Sequence, residues 1–257
     1  MPESITVSWQ VLLLILPVMV FSGLVHGALG LGFPMVATPI IAVFLDVKLA
    51  ILITLLPTAV VNVASIRSQS GFGSVVSKYW SLALACVVGA MVGSYVLTVA
   101  DASAFSLLLA LLILVFLWSQ YYGRLPKHWF LAYPVTVLIV MGLLAGFSAG
   151  TTNVMVAILI IYFLSVGVQR SEMVAAMNLC FLIGKICQIV VFFAVRLMNT
   201  VLLTKTIPLA IAGYVALKYG QKIGDQISQQ RYTAWLRYLL ALLAVVLLWQ
   251  YCQGISG

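Results

Sequence analysis

Acidic side chains are almost missing from this chain. Its 257 residues include five Asp and Glu against 13 Lys and Arg, and charged residues of both signs make up only 7%. A soluble domain carries about a quarter of its residues as charges, so a water-soluble globular protein is excluded. Glu3, Asp46, Asp101, Glu172 and Asp225 all fall near the ends of apolar runs. That leaves no carboxylate proton relay within those runs. Cysteine is sparse too: Cys86, Cys180, Cys187 and Cys252 show neither CxxC nor Cys/His metal spacing. They lie inside or at the ends of apolar runs, where Cys behaves as a small hydrophobe. No disulfide, metal or cofactor is indicated. The opening stretch MPESITVSWQ has no Lys or Arg, so the first apolar run lacks the charged start of a cleaved signal peptide and is expected to be a helix of the mature protein.

What is abundant is hydrophobicity: 64% of residues, with a mean hydropathy of +1.21. The apolar runs are long enough to span a bilayer and lack the period-two alternation of an outer-membrane barrel. An all-α integral membrane protein is expected. The net charge of +8 then reads as basic loops that set orientation, with no nucleic-acid partner implied. Apolar segments are expected at about 9–29, 33–45, 47–66, 79–99, 104–122, 129–149, 152–167, 171–195, 200–217 and 233–252. The second and seventh are short; at 1.5 Å per residue the second covers roughly 20 Å, less than the hydrocarbon core of about 30 Å. Each follows a glycine-rich break, GALGLGFP at 27–34 and GFSAGTTN at 146–153, and each reads as the returning arm of a hairpin.

Charge placement favours the hairpins. Counting each as down and back puts Arg67, Lys78, Arg124, Lys127, Arg170, Lys218, Lys222, Arg231 and Arg237 on one side, and only Lys48, Arg196 and Lys205 on the other. Counting each as one broken helix divides the same charges evenly. The positive-inside rule therefore makes the basic loops cytoplasmic and puts both termini outside, whether the arms cross fully or re-enter. The halves also match. Gly23-Leu24-x-x-Gly27 recurs as Gly142-Leu143-x-x-Gly146, 119 positions later, while Lys48 to Thr54 maps onto Glu172 to Asn178 and Gly89 onto Gly213, both at a spacing of 124. Each half holds five segments, an odd number, so residues 124–257 are expected to form an inverted repeat of residues 1–123 within one membrane domain. Inverted repeats with discontinuous helices are the pattern of secondary transporters, whose sites lie near the midplane.

The breaks are the expected substrate site. Gly30, Leu31 and Gly32 ahead of Pro34, and Gly150 beside Thr151, Thr152 and Asn153, would turn the backbone and leave N–H groups free. A helix starting there points its positive end at an anion. The same glycines could instead permit close helix packing, the role expected of Gly23, Gly27, Gly142 and Gly146. Lys185 is the one full charge deep in a span, about 15 residues into the eighth segment. A lysine at the bilayer centre costs about 2.5–3.5 kcal/mol on insertion scales. With no acid nearby, a small anionic substrate would supply its partner; snorkelling or backbone contacts are the alternative. Thr54 and Asn178 occupy matching repeat positions and are expected to bond the substrate, while Asn62 and Gln188 are further neutral polar candidates. His26, with a side chain that ordinarily titrates near neutrality, is a candidate for proton coupling or a structural histidine. Gly146 to Gly150 fits G-x-S-x-G, which would allow an intramembrane protease pairing Ser148 with His26. That motif needs a strand–turn–helix elbow, and the repeat already accounts for Gly146. No enzyme is expected; a passive anion channel is the stronger alternative.

With its GALGLGFPMVATP and GFSAGTTNVMVAI hairpins, each leading into an apolar helix, the chain resembles the TauE/SafE sulfite exporter family (TSUP transporters). The resemblance covers nearly the whole chain. It implies transport of sulfite, organosulfonates or related sulfur compounds across a bacterial inner membrane, by export or by import of a related compound. The expected partners are the small anion, the lipid bilayer and, as a candidate, a second copy of the chain.

Overall fold

Ser8 opens the first helix, its Oγ accepting the Val11 N–H at 3.4 Å. The computed structural model describes residues 7–68, 72–122, 130, 132–224 and 229–253. Helix α1 (Trp9–Leu29) stops where Gly30 takes φ 80°, a left-handed conformation that a Cβ would penalise. Gly32, at φ 106°, sends the chain into α2 (Phe33–Ala42), with Pro34 in its first turn, where a missing N–H costs no hydrogen bond. Its ten residues cover about 15 Å, half a bilayer core. Asp46 then caps α3 (Val47–Arg67) by accepting the Lys48 N–H at 2.5 Å. Helices α4 (Phe72–Val99) and α5 (Ala102–Tyr122) follow.

The second half repeats the motif. Helix α6 (Pro134–Thr152) ends at Asn153, φ 65°. Helix α7 (Val156–Val166) has 11 residues and ends at Gly167, φ 77°. Helices α8 (Arg170–Ala194), α9 (Thr200–Lys205), α10 (Ile207–Gly224) and α11 (Gln229–Cys252) complete the order. Among the described residues the structure is all-helical, with seven stretches long and apolar enough to cross a membrane. The short arms α2 and α7 are not among them, as expected.

Several boundaries shift by a few residues from the sequence reading, and three of the differences matter for the fold. The second break falls at Asn153 to Met155, not at Gly150, which stays inside α6. The expected span 200–217 divides at Thr206, because Pro208 has no N–H to offer the Thr204 carbonyl one turn earlier. Helix α4 begins at Phe72, ahead of the expected 79. The boundary at 123/124 and the basic residues Arg124, Lys127 and Arg231 lie outside the described side chains, as do Glu3 and Asp225.

Glycine decides how the halves pack. A Cβ on Gly27 would lie 2.3 Å from the Leu217 carbonyl oxygen, pressing α1 onto α10. A Cβ on Gly146 would lie 2.0 Å from the Cys86 oxygen, and one on Gly89 2.1 Å from the Leu143 oxygen, pressing α4 onto α6. Backbones this close gain van der Waals contact that larger residues would prevent. At the end of α8 an ion pair braces the bundle: Lys78 meets Glu172 at 2.6 Å, and the Tyr79 hydroxyl donates to the same carboxylate at 3.0 Å.

Candidate functional site

Lys185 sits on α8 with 1% of its surface exposed, and its surroundings are neutral. Its Nζ donates to Asn153 Oδ1 and to Gln188 Oε1. Asn153 Nδ2 in turn donates to Thr54 Oγ1 at 2.9 Å and Thr38 Oγ1 at 3.1 Å. Gln188 Nε2 donates to the Gly150 carbonyl at 2.9 Å. One connected polar cluster thus ties the second break to α2, α3 and α8. Its members are fully or almost fully buried. Asn153 can hold this position because its left-handed backbone ends α6, with its N–H bonded to the Ala149 carbonyl at 3.1 Å. Asn tolerates that conformation better than most residues with a Cβ.

Helix α7 begins beside this cluster. Its first turn has no side-chain cap, and the first backbone bond into it runs from the Leu159 N–H to the Met155 carbonyl at 3.2 Å. The N–H groups of Val156, Ala157 and Ile158 therefore precede the intrahelical ladder and carry the positive end of the helix dipole. Val156 follows Asn153 by three positions, at most about 10 Å of extended chain. An ammonium and an uncapped helix start thus share a buried region that has no carboxylate among the described residues. Such an arrangement can bind an anion.

The first break is built differently. His26 Nδ1 accepts the Phe33 N–H at 3.2 Å, and His26 Nε2 lies 2.8 Å from Ser65 Oγ. Because Nδ1 accepts, the ring proton belongs on Nε2, facing Ser65. Pro34 has no N–H, and the Val36 N–H bonds the Gly32 carbonyl at 3.1 Å. Of the first four residues of α2, only Met35 has an N–H left over. Asn178 Nδ2 donates to the Gly30 carbonyl at 2.9 Å and the Val174 carbonyl at 3.0 Å, and an Arg170 N–H reaches the Leu29 carbonyl at 3.5 Å.

The residues proposed from sequence therefore divide into groups. Lys185, Asn153 and Thr54 come together, with the Gly150 carbonyl at their edge. Gly30, Leu31, Gly32, His26 and Asn178 form the other break, and Asn178 is seven residues, about 10 Å of helix, from Lys185. Among the described residues no hydrogen bond links the two breaks directly. What meets the second break is the arm of the first hairpin, through Thr38. Thr151 and Thr152 turn their hydroxyls onto the Phe147 and Ser148 carbonyls, both at 2.8 Å. Gly150 packs: a Cβ there would lie 2.5 Å from the Ala90 oxygen. Ser148 Oγ donates to the Ala145 carbonyl at 2.8 Å and has no bond to His26, so the protease pairing is not formed. Thr38 is not among the residues singled out from sequence, whereas Gln188 is one of the further polar candidates. Thr38 is the lone polar side chain of α2, and Gln188 is one helical turn beyond Lys185.

A family model described as Sulfite exporter TauE/SafE matches residues 15–248. Neither the curated proteins nor the solved structures gave a match.

Proposed function

The chain belongs to the Sulfite exporter TauE/SafE family, and on that premise we propose that it is a secondary transporter exporting a small sulfur-containing anion, sulfite or an organosulfonate. The observation that carries this reading is the Lys185 ammonium, buried with only neutral amide oxygens as partners beside the uncapped start of α7. A charge held this way lacks a counter-ion, and an oxyanion supplies one. It would bridge Lys185 Nζ and the α7 N–H groups, displacing Asn153 or Gln188 from the lysine.

The architecture fits an inverted-repeat transporter with halves 1–123 and 124–257. Thr54 and Asn178 lie 124 positions apart, and each bonds the carbonyl four residues before it, Ala50 and Val174. Each also reaches the break of the opposite half: Thr54 meets Asn153, and Asn178 meets Gly30. Both termini are periplasmic and the membrane is the bacterial inner membrane. A negative interior helps export, since an outgoing monovalent anion gains about 2.3 kcal/mol per 100 mV. That sustains roughly a fiftyfold gradient without a coupled ion. His26 serves as a cap on α2, not as a proton carrier, because both its nitrogens are engaged in holding the turn.

Binding of sulfite, thiosulfate, sulfoacetate, taurine and sulfate to the purified protein tests the reading. Saturable binding of sulfite or an organosulfonate anion, competed by its congeners, is the expected result. Binding of none of these, or of zwitterionic taurine alone, would reject an anionic sulfur substrate.

A further inference from the structure

Helix α3 carries a second line of polar side chains that leads away from the Lys185 cluster. Thr54, Thr58, Asn62 and Ser65 follow one another at intervals of four, four and three residues, which places them on one helix face. All four are buried. The line starts at Thr54, which contacts Asn153, and ends at Ser65, which contacts His26 beside the first break. It spans about 16 Å of helix. The line therefore runs from one break to the other.

The middle of the line is unpartnered. Thr58 Oγ1 and both side-chain heteroatoms of Asn62 find no hydrogen-bond partner among the described residues, and neither does Ser22 Oγ on α1. Ser22 lies one turn before His26, and Asn62 one turn before Ser65, which His26 contacts, so helical spacing places these four residues along one strip between α1 and α3. One more buried hydroxyl, that of Ser94 on α4, is unpartnered among the described residues; most of the others behave differently. Those of Thr54, Ser119, Ser148, Thr151, Thr152 and Ser165 all bond a carbonyl three or four residues back, the usual way to satisfy such a group inside a helix. An orphaned amide in an apolar bundle is costly, and an isosteric leucine would remove that cost. The strip has the character of a surface that hydrogen-bonds something other than the protein.

Resting on the transport reading above, we propose that this face of α3, together with Ser22 and His26 of α1, is the cytoplasmic passage through which the oxyanion and its water reach the Lys185 site. Hydroxyls and an amide suit that role. They exchange hydrogen bonds with sulfur-bound oxygens and with water, and they hold no charge that would trap the anion between the mouth and the site. Asn62 is the passage's positioning residue, offering an N–H donor to an oxyanion about 12 Å along α3 from Thr54.

Asn62→Leu and Thr58→Val test this in proteoliposomes, alongside single cysteines at the same positions probed with a small water-soluble thiol reagent. Asn62→Leu is expected to keep or raise thermal stability, leave substrate affinity at the Lys185 site within about twofold, and slow flux at least tenfold. Thr58→Cys and Asn62→Cys are expected to react from the cytoplasmic face and to be protected by substrate. Wild-type flux in both Asn62→Leu and Thr58→Val, with unreactive cysteines, would overturn the passage. Stability lost in Asn62→Leu with flux per folded protein unchanged would make the amide a helix-joining group and also overturn it. Lys185→Met separates the two readings: it should weaken binding at least about thirtyfold, whereas the passage variants should not. A wild-type protein that carries no sulfur anion would fail the transport reading before the passage is tested.

Discussion

Replacing Lys185 with Met removes the ammonium while keeping a long apolar side chain, and the structure allows both consequences to be sized. The lysine has two amide partners, Asn153 Oδ1 and Gln188 Oε1. Losing its N–H groups leaves those oxygens without that donor, at about 1–3 kcal/mol each. Against this, a lysine deep in the bilayer costs about 2.5–3.5 kcal/mol relative to an apolar residue. The two terms nearly cancel, so the variant should fold, with a change in stability of no more than about 3 kcal/mol in either direction. Binding has no such compensation. Truncating one partner of a buried, hydrogen-bonded charge pair costs about 2–5 kcal/mol, so affinity should fall at least about thirtyfold. Lys185→Arg should retain part of the function, since its planar fork presents donors differently from a compact ammonium. Lys185→Glu should be worst, because it sets like charge against the anion. Thermal unfolding in detergent and substrate titration on the same preparations measure both quantities. A well-folded Lys185→Met with wild-type affinity would refute the reasoning and leave the α7 N–H groups as the anion's main partners.

Other outcomes follow from single contacts. Gly146→Val should destabilise the bundle severely, because its Cβ has 2.0 Å to the Cys86 oxygen and neither backbone can retreat without parting α4 from α6; chemical denaturation or loss of detergent-soluble protein reports this. Gly32→Ala meets no atom within 4 Å but must hold φ 106°, so the cost is conformational, about 1–2 kcal/mol, and the fold should persist. His26→Gln should lower stability by about 1–3 kcal/mol through the Phe33 N–H and Ser65 contacts, while the pH profile of transport between 5 and 8 stays that of the wild type; a profile that flattens would restore His26 as a proton carrier. A cysteine at position 125 or 222 should be labelled from the cytoplasmic face, and periplasmic labelling at either would sink the inverted orientation.

Composition and segment length made the helical membrane fold legible, because apolar runs of bilayer length admit few other structures. The short arms were legible for the same reason: the runs 33–45 and 152–167 are shorter than the others, and they become helices of ten and 11 residues. Lys185 and Asn153 stood out in sequence as a rare buried charge and a polar residue at a break. The exact turn did not, because Gly150 and Asn153 both suit a left-handed cap, and only the approach of α4 shows that Gly150 is needed for packing. The passage face of α3 was hidden as well. Its polar residues are ordinary in helices, and what distinguishes Thr58 and Asn62 is a lack of partners, a property of the packed bundle rather than of the residue types. Nor could spacing alone show that Asn178 serves the first break and Thr54 the second, since that exchange depends on how the halves cross.

Export through the Lys185 site is tested most directly by efflux of labelled sulfite and organosulfonates from proteoliposomes held at an inside-negative potential, with wild type and Lys185→Met compared at equal protein. Wild-type efflux is expected to saturate with substrate, to accelerate as the interior becomes more negative, and to fall at least tenfold in the methionine variant. Efflux no faster than from protein-free vesicles, or a non-saturating leak shared by chloride and unaffected by Lys185→Met, would contradict it.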